Sequence, residues 1–272
     1  PIIQGAKLDK EHGKFNYRIY RFDTPMQTGE KRVLRFKTVV EEKGFPNSAP
    51  LTRIVGNGSF LNNNEVAPML GMDDNLLLAD RAKRRKYGLP PERRPAKLED
   101  ESANANHYLR HDTDWVTAEL SLTTDADQVP VVPGYLVSDR TEGGRRTLKT
   151  RTEAPILQFF SMQSAKYAIK SDTWRPGSGD PVALSVHYHP AHEHNVKLML
   201  DAMKLSLDQF SAAFSPYQFR QARILEFPAY EKFAHPASRY AVVGAAALVT
   251  VAAGVCRRAI IVVGGATATP VR

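Results

Sequence analysis

The sequence predicts a mainly β domain, a sandwich or a set of twisted sheets, followed by the start of an α/β domain. Two observations carry this prediction. Through roughly the first 190 residues, short segments alternate apolar and polar residues and are separated by Gly, Pro and Asp, which is typical of strands joined by turns. From His194, apolar residues recur at steps of three and four, which is typical of one face of a helix. The change of period places a domain boundary near residue 190.

Short β-strands account for most of the first domain. The pattern occurs in these stretches, in chain order: KFNYRIYRF, KRVLRFKTVV, TRIVGNGSF, DWVTAELSLTT, VPVVPGYLVSD, RRTLKTRTE and PVALSVHYH. Turn chemistry separates them: Pro25 and Gly29 lie between the first two, and Asn57-Gly58 is a tight-turn signal. The EGGRR of residues 142–146 predicts a hairpin turn with a basic flank.

A polar interruption lies at residues 74–106, where a short helix is predicted in DDNLLLADRAKRRKYGL. The net charge of +8 and the pI near 9.5 require that an acidic partner be considered, and Arg81–Lys86 is the most basic run. No nucleic-acid-binding motif accompanies this run, and acidic residues follow it. We therefore interpret it as a solvated helix face and predict no nucleic-acid partner.

The second domain begins with a helix of about twenty residues and a strand. One apolar stripe includes these residues: Val196, Met199, Leu200, Met203, Leu207, Phe210 and Phe214. Ser215-Pro216 ends the helix because proline disfavours a helical conformation in the preceding residue. The strand QARILEF follows and is closed by Pro228. The predicted organisation is a β-rich domain at 1–190, the start of a second domain at 191–234 and a divergent apolar tail at 235–272.

The cysteine content and the amino terminus constrain the class of protein only slightly. The single cysteine, Cys256, excludes an intramolecular disulfide framework. Residues 1–20 are polar and charged and show no signal peptide. The chain begins at Pro1 rather than at a methionine, so the sequence does not exclude a segment that precedes it.

Four of the eight histidines crowd into HYHPAHEH, which raises the question of a metal site. His187 and His189 would share one face of a strand, and a loop could bring His192 near them. Zinc binds neutral imidazole, so these three are the metal-ligand candidates. The zincin motif HExxH is absent, because Val196 stands where its second histidine would be. Packing and hydrogen bonding are the competing roles for these histidines.

Two carboxylates are candidates for facing a substrate. Glu226 and Glu231 lie in EFPAYE, directly after the second-domain strand. The competing interpretation is that they are ordinary strand-end acids, since no partner residue is evident. The sequence contains no G-x-S-x-G, no P-loop and no G-x-G-x-x-G after a strand, so it predicts no catalytic residue by motif.

Several stretches resemble one enzyme family. These are GFPNSAPLTRIVGNGSF, PVVPGYL, QFFSMQSAKYAI, SVHYHPAHEHNVKLMLDAMK and LDQFSAAFSPYQFRQARILEFPAYEKFA. They are similar to the bacterial gluzincin aminopeptidases of the aminopeptidase N superfamily, in the branch fused to ABC-2-type transporter permeases. The resemblance covers roughly residues 14–234, and residues 207–234 are its most specific part.

The resemblance implies a saddle-like β domain followed by a thermolysin-like catalytic domain. Such enzymes hold zinc with HExxH and a downstream glutamate, and the motif glutamate activates water. This chain leaves the family pattern at His235, before any of those residues. No zinc ligand or general base is carried over, and we expect no zinc in this chain. In the parent family, the resemblance implies a peptide substrate, a transporter membrane segment as a possible partner, and a bacterial, membrane-associated protein.

Residues 237–272 change abruptly to Ala, Val and Gly with a few arginines. Three interpretations are open: a short membrane anchor, a folded extension of the α/β domain, and a tail translated out of frame. The out-of-frame interpretation explains best why the break falls inside a motif-dense segment. It predicts a disordered or collapse-prone tail.

Two functional hypotheses follow. In the first, the chain is the amino-terminal part of a membrane-linked zinc aminopeptidase and is inactive as it stands. In the second, its β domain is a non-catalytic binding or scaffold module of an ABC-type transporter system. Zinc content and hydrolysis of an aminoacyl reporter address the first hypothesis directly.

Overall fold

The computed structural model describes residues 1–41, 53–71, 77–91, 97, 99–103, 115–227, 244–252 and 255–264. The chain divides into two compact units, the first with Pro1–Glu41 and Asn64–Glu99, the second with Glu42–Asn63 and Asp100–Arg272. Strands in small sheets dominate and helices are few, which confirms the mainly β prediction. The boundaries predicted near residues 190 and 234 stay predictions.

The first unit contains two small antiparallel sheets, β1-β4 and β2-β3, and a short helix. Its elements are β1 (Ile2–Ile3), β2 (Ala6–His12), β3 (Tyr17–Phe22), β4 (Leu34–Arg35), α2 (Arg81–Lys86) and, apart from its first residue, α1 (Asn63–Val66). The strand predicted for KRVLRFKTVV is wrong in extent, because only the two residues of β4 find a partner strand, β1. The predicted helix is confirmed as α2, whose Asp80 side chain accepts from the backbone N–H of Lys83 at 2.7 Å and caps it.

The second unit contains most of the strands and the long helix. Its elements are β5 (Ile54–Val55), β6 (Gly58–Asn62), β7 (Trp115–Val116), β8 (Glu119–Asp125), β9 (Val129–Val131), β10 (Tyr135–Glu142), β11 (Arg145–Arg151), β12 (Ile156–Leu157), β13 (Ser161–Ala165), β14 (Ala168–Trp174), β15 (Val182–Tyr188), α3 (Val196–Ala213), β16 (Gln221–Leu225), β17 (Gly244–Ala252) and β18 (Val255–Gly264). The strand orders are β5-β6-β13-β9, β10-β11-β8, β14-β15-β16, β12-β7 and β17-β18.

Glycines determine two of the hairpins. Gly143 and Gly144 join β10 to β11 with φ of +56° and +74°, a conformation that glycine adopts without strain. At Gly58, a Cβ would lie 2.0 Å from the Ser164 carbonyl oxygen, so β6 can approach β13 only with glycine there. The turn before Gly58 consists of Gly56 and Asn57, since Val55 pairs with Gly58. The hairpin is therefore one residue earlier than the Asn57-Gly58 signal indicates.

The largest core lies between α3 and one face of the sheet β14-β15-β16. Strand β15 pairs antiparallel with β14 and parallel with β16, and α3 connects the parallel pair. The buried residues of this core are Trp174, Val182, Leu184, Val186, Tyr188, Val196, Leu200, Leu207 and Ala222. The Nε1–H of Trp174 donates to Asp208 Oδ1 at 2.7 Å, which ties β14 to α3. This strand-helix-strand unit confirms the α/β element that the change of period predicts.

The predicted apolar stripe of α3 is buried only in part. Val196, Leu200 and Leu207 are buried, whereas Met199 is 40% exposed and Phe214, beyond the last helical residue, is 48% exposed. Met199 is displaced by about 100° around the helix from Leu200, so it lies at the margin of the contact with the sheet.

Within the apolar tail, β17 pairs antiparallel with β18. None of the helices among the described residues is long and apolar enough to cross a membrane. An out-of-frame origin of the tail stays a prediction.

Candidate functional site

The candidate site lies in the second unit, at the carboxyl ends of the parallel strands β15 and β16. His189 comes directly after β15, which ends at Tyr188, and Glu226 comes directly after β16, which ends at Leu225. The Glu226 N–H donates to the His187 carbonyl at 2.9 Å and so continues the parallel ladder. Because both strands end at the same edge of the sheet, their following residues meet in one place. Crevices at the carboxyl ends of parallel strands are where open α/β sheets bind ligands.

The carboxylate of Glu226 organises the turn that follows β15. Its Oε2 accepts a hydrogen bond from the backbone N–H of His189 at 2.8 Å, and its Oε1 is in close contact with His192 Nδ1. The His192 N–H in turn donates to the His189 carbonyl at 2.8 Å. One carboxylate thus fixes both histidines relative to the end of β16, although both its side chain and that of His192 are partly exposed.

The two histidines of this turn lie side by side. The ring centroids of His189 and His192 are 5.0 Å apart, and the ring planes are tilted by 40°. The Ala191 N–H donates to His189 Nδ1 at 3.2 Å, so a neutral His189 carries its proton on Nε2. The turn therefore positions the two imidazoles through backbone contacts as well as through Glu226.

Tyr167 contacts the site from the segment between β13 and β14. Its hydroxyl donates to the Glu226 carbonyl at 2.7 Å and lies 3.3 Å from Gln163 Oε1 on the central strand β13. Burial of the phenol, and then the charge of Glu226, raise the pKa of Tyr167 well above its ordinary value. Tyr167 therefore remains a neutral donor that holds the end of β16 near β13.

His187 lies apart from the other two histidines, inside the second unit. It is 7% exposed, and its Nε2 is 3.1 Å from Ser185 Oγ. The Tyr167 ring meets it edge-on with centroids 5.7 Å apart. Burial, and then the positive charge of Arg223, lower the pKa of His187 to about 4. His187 is therefore neutral at pH 7.

Arg223 shares this inner face of the sheet, since it lies opposite Ser185 in the parallel register. Its Nη2 donates to the Val132 carbonyl at 2.9 Å, while its buried Nε has no hydrogen-bond partner among the described residues. Burial lowers the pKa of Arg223 to about 10, against smaller contributions from Tyr217 and Tyr135. The guanidinium thus joins the end of β9 to β16, and no carboxylate among the described residues pairs with it.

A cavity of about 220 Å³ opens at this edge of the sheet. Its lining combines aromatic rings with the Glu226 carboxylate and both turn histidines: Asn57, Phe60, Tyr167, His189, His192, Glu226 and Phe227. Such a surface can hold an apolar side chain against the rings and a polar or charged group at the rim.

The structure brings three of the predicted site residues together and separates two. Glu226, His189 and His192 line one cavity, whereas His187 is buried on the sheet and Glu231 lies outside the described residues. Among the described residues, no group of three or more His, Cys, Asp or Glu side chains is arranged to hold a metal ion. Sequence reasoning missed Tyr167, whose contact with Glu226 spans 59 residues of chain and leaves no local signal.

No family model and no curated protein sequence matches the chain. Among solved structures, it is similar to Legionella pneumophila aminopeptidase A, with 12% identity and a TM-score of 0.39 over 41% of this chain and 14% of that chain. It is also similar to an M1 zinc metallopeptidase from Deinococcus radiodurans, with 15% identity and a TM-score of 0.39 over 45% of this chain and 29% of that chain.

A third similar structure is a two-domain M1 zinc metallopeptidase bound to L-tryptophan, with 15% identity and a TM-score of 0.38 over 43% of this chain and 28% of that chain. The chain therefore spans less than a third of the length of each of these proteins. The solved structures that it resembles in part are zinc metallopeptidases and an aminopeptidase, at low identity.

Proposed function

We propose that this chain is the amino-terminal part of a zinc-dependent aminopeptidase and forms one wall of its peptide-binding cleft. The observation that carries the proposal is the aromatic cavity at the carboxyl ends of β15 and β16, with Glu226 at its rim. It lies within the stretch whose sequence resembles the gluzincin aminopeptidases. The peptide substrate and the zinc of the parent enzyme are part of this proposal.

The chemistry of the cavity suits one residue of a peptide. The Phe60 and Phe227 rings provide an apolar surface for a side chain, and Tyr167 adds a third ring. The carboxylate of Glu226 places negative charge where a cationic group of a peptide would be stabilised. Its contacts with His189 and His192 keep this carboxylate in position before any ligand binds.

The outer surface of α3 supports the proposal that further layers belong to the same domain. Leu198 and Leu205 are 67% and 59% exposed, and they lie on the side of the helix opposite the buried Leu200. A helix that is apolar on both sides is typical of one packed between two layers. We propose that the rest of a catalytic domain covers this side in the parent enzyme.

Hydrolysis is proposed to belong to the parent enzyme and not to the 272-residue chain alone. In the parent, zinc would polarise the peptide carbonyl and activate water. The sequence contains no HExxH, and this chain contributes binding and orientation through the cavity wall. We further propose a bacterial, membrane-associated parent protein, on the sequence resemblance alone.

The test combines peptide binding with two measurements of catalysis. Chemical-shift changes of the 272-residue chain would be followed while tripeptides with an amino-terminal aromatic or aliphatic residue are added. We expect weak binding that the change Phe227→Ala reduces several-fold. Phe219→Ala is the matched control, because Phe219 is also half-buried but does not line the cavity.

We also expect less than one zinc per chain by elemental analysis and no chelator-sensitive hydrolysis of an aminoacyl reporter. Stoichiometric zinc with hydrolysis would contradict the proposal that the chain alone is inactive. Absence of peptide binding to the wild-type chain, or equal binding by the two phenylalanine variants, would contradict the cleft wall and favour the non-catalytic transporter module.

A further inference from the structure

One face of the sheet β10-β11-β8 combines positive charge with a concave surface. Directly opposed residues of an antiparallel pair project to the same face, and the register opposes Ser138 to Lys149 and Arg140 to Thr147. A concavity of about 340 Å³ is lined by the side chains on this face of β10 and β11: Ser138, Arg140, Glu142, Arg145, Thr147 and Lys149.

Two cations of this face form no ion pair with a described residue. Arg145 pairs with Asp125 of β8 at 2.5 Å, and Arg151 pairs with Glu119 of β8 at 3.0 Å. The β8 carboxylates on this face are thus occupied by the arginines of β11. Neither Arg140 nor Lys149 forms an ion pair with any residue that the structure describes, and both are exposed.

The unpaired cations alternate with hydroxyl groups. Because Arg140 faces Thr147 and Lys149 faces Ser138, the cations occupy one diagonal of a four-residue patch and the hydroxyls occupy the other. Neighbouring Cα atoms in such a patch are about 5 Å apart across the strands and about 7 Å apart along them. A guanidinium fork, an ammonium and hydroxyl donors at this spacing suit a carboxylate group.

The strand that carries Arg140 is also the edge of its sheet. Among the strands that the structure describes, β10 has a neighbour on one side only, β11. The backbone groups on its outer side can pair with an added strand. A bulge between Leu136 and Ser138 leaves Leu136 and Val137 exposed by 66% and 57% on the same strand. An extended peptide along this edge would cover both.

We propose that this edge and face bind an extended acidic segment of a partner protein. The segment adds as a strand beside β10, and its carboxylates lie against Arg140 and Lys149. Glu142, at the turn end of the same face, opposes negative charge and directs the acidic residues toward Arg140 and Ser138. This surface is independent of the cavity at Glu226.

The test uses the 272-residue chain and a labelled nine-residue peptide that alternates glutamate with valine. A peptide in which glutamine replaces glutamate is the matched probe. We expect fluorescence anisotropy to show binding of the glutamate peptide, weakened by added salt, and far weaker binding of the glutamine peptide. The change Arg140→Gln with Lys149→Gln should weaken binding about three- to tenfold, and Glu142→Gln should strengthen it.

The control variant combines Arg175→Gln with Lys10→Gln, which removes the same charge from exposed residues elsewhere. It should bind like the wild type, and the hydrogen exchange of β10 amides should slow when the peptide binds. Equal loss in both double variants would overturn the proposal, because only net charge would then matter. Displacement of the glutamate peptide by inorganic phosphate at the same molar concentration would overturn strand addition. A dimer that forms through β10 without peptide would overturn the partner protein, because the occupant of this edge would then be a second copy of the chain.

Discussion

The two faces of the sheet β14-β15-β16 are built in different ways. The outer face packs against α3 mainly through apolar side chains, among them Trp174, Leu184 and Leu200. The inner face carries Ser185, His187 and Arg223, and it is joined to the end of β9 by a hydrogen bond to the Val132 carbonyl. The first face is a continuous apolar layer, and the second is a buried polar network beside a small apolar cluster of Val131 and Leu225.

The main apolar packing and the candidate site therefore depend on opposite sides of one sheet. The apolar face gains free energy from burial whatever the pH. The polar face depends on protonation states and on hydrogen bonds to distant residues. The cavity at Glu226 adjoins the polar face through Tyr167, which contacts both Glu226 and His187.

The largest expected effect is a loss of packing under α3. Leu207→Ala removes a side chain that is 2% exposed, so the free energy of unfolding should fall by about 2–5 kcal/mol. Leu205→Ala, on the same helix but 59% exposed, should change it by less than about 1 kcal/mol. Urea unfolding measures both. Equal losses of unfolding free energy in the two variants would show that the two sides of α3 contribute equally to stability.

The polar face should make stability depend on acid. Folding lowers the pKa of His187 from 6.5 to about 4, so the unfolded chain binds the proton more tightly. The contribution of neutral His187 to the free energy of unfolding is complete above about pH 6.5. This contribution, about 3 kcal/mol in total, is lost as the pH falls toward 4. In urea unfolding across this range, His187→Leu should remove that part of the pH dependence. An unchanged pH dependence in the variant would contradict this prediction.

The positive charge of Arg223 should contribute to the lowered pKa of His187. Arg223→Met removes a cation that pairs with no carboxylate among the described residues. The pKa of His187 should rise only in part toward its ordinary value, since burial still lowers it, as measured by NMR titration. Stability at neutral pH should change by less than about 1 kcal/mol, because the lost hydrogen bond offsets the desolvation that is relieved. Arg220→Met, which removes an exposed arginine paired with Glu153, should leave the pKa of His187 unchanged.

A small effect on stability is expected at the link between the polar face and the cavity. Tyr167→Phe removes the hydroxyl that donates to the Glu226 carbonyl, so the free energy of unfolding should fall by about 0.5–1.5 kcal/mol. The amide of His189 should then exchange faster with solvent, because Glu226 is less well held. Tyr20→Phe, which removes an exposed hydrogen bond to the Pro1 carbonyl, should have almost no effect.

Sequence patterns predicted many of the strands, among them β3, β8, β11, β15 and β16, and the helix α3, since alternation and helical periodicity depend on residues close in the chain. No strand was predicted for β2, β13 or β14. The sequence did not predict where β4 ends or that the β5-β6 turn lies one residue earlier. Both depend on which residues find a partner strand. For the candidate site, the sequence singled out Glu226, His189 and His192, but it grouped His187 with them. Strand parity alone gave no sign that His187 is buried while His189 lies beyond the last strand residue.

The amino-acid sequence establishes the mainly β character, the strand-helix-strand unit and the absence of HExxH from these 272 residues. The folded structure decides that Glu226 holds the histidine turn and that Tyr167 supports it across 59 residues. It also decides that the buried Nε of Arg223 has no hydrogen-bond partner among the described residues. The physical reason is that periodicity reports which side of an element avoids water. The partners of a buried polar group come from distant parts of the chain, and only the folded backbone brings them together.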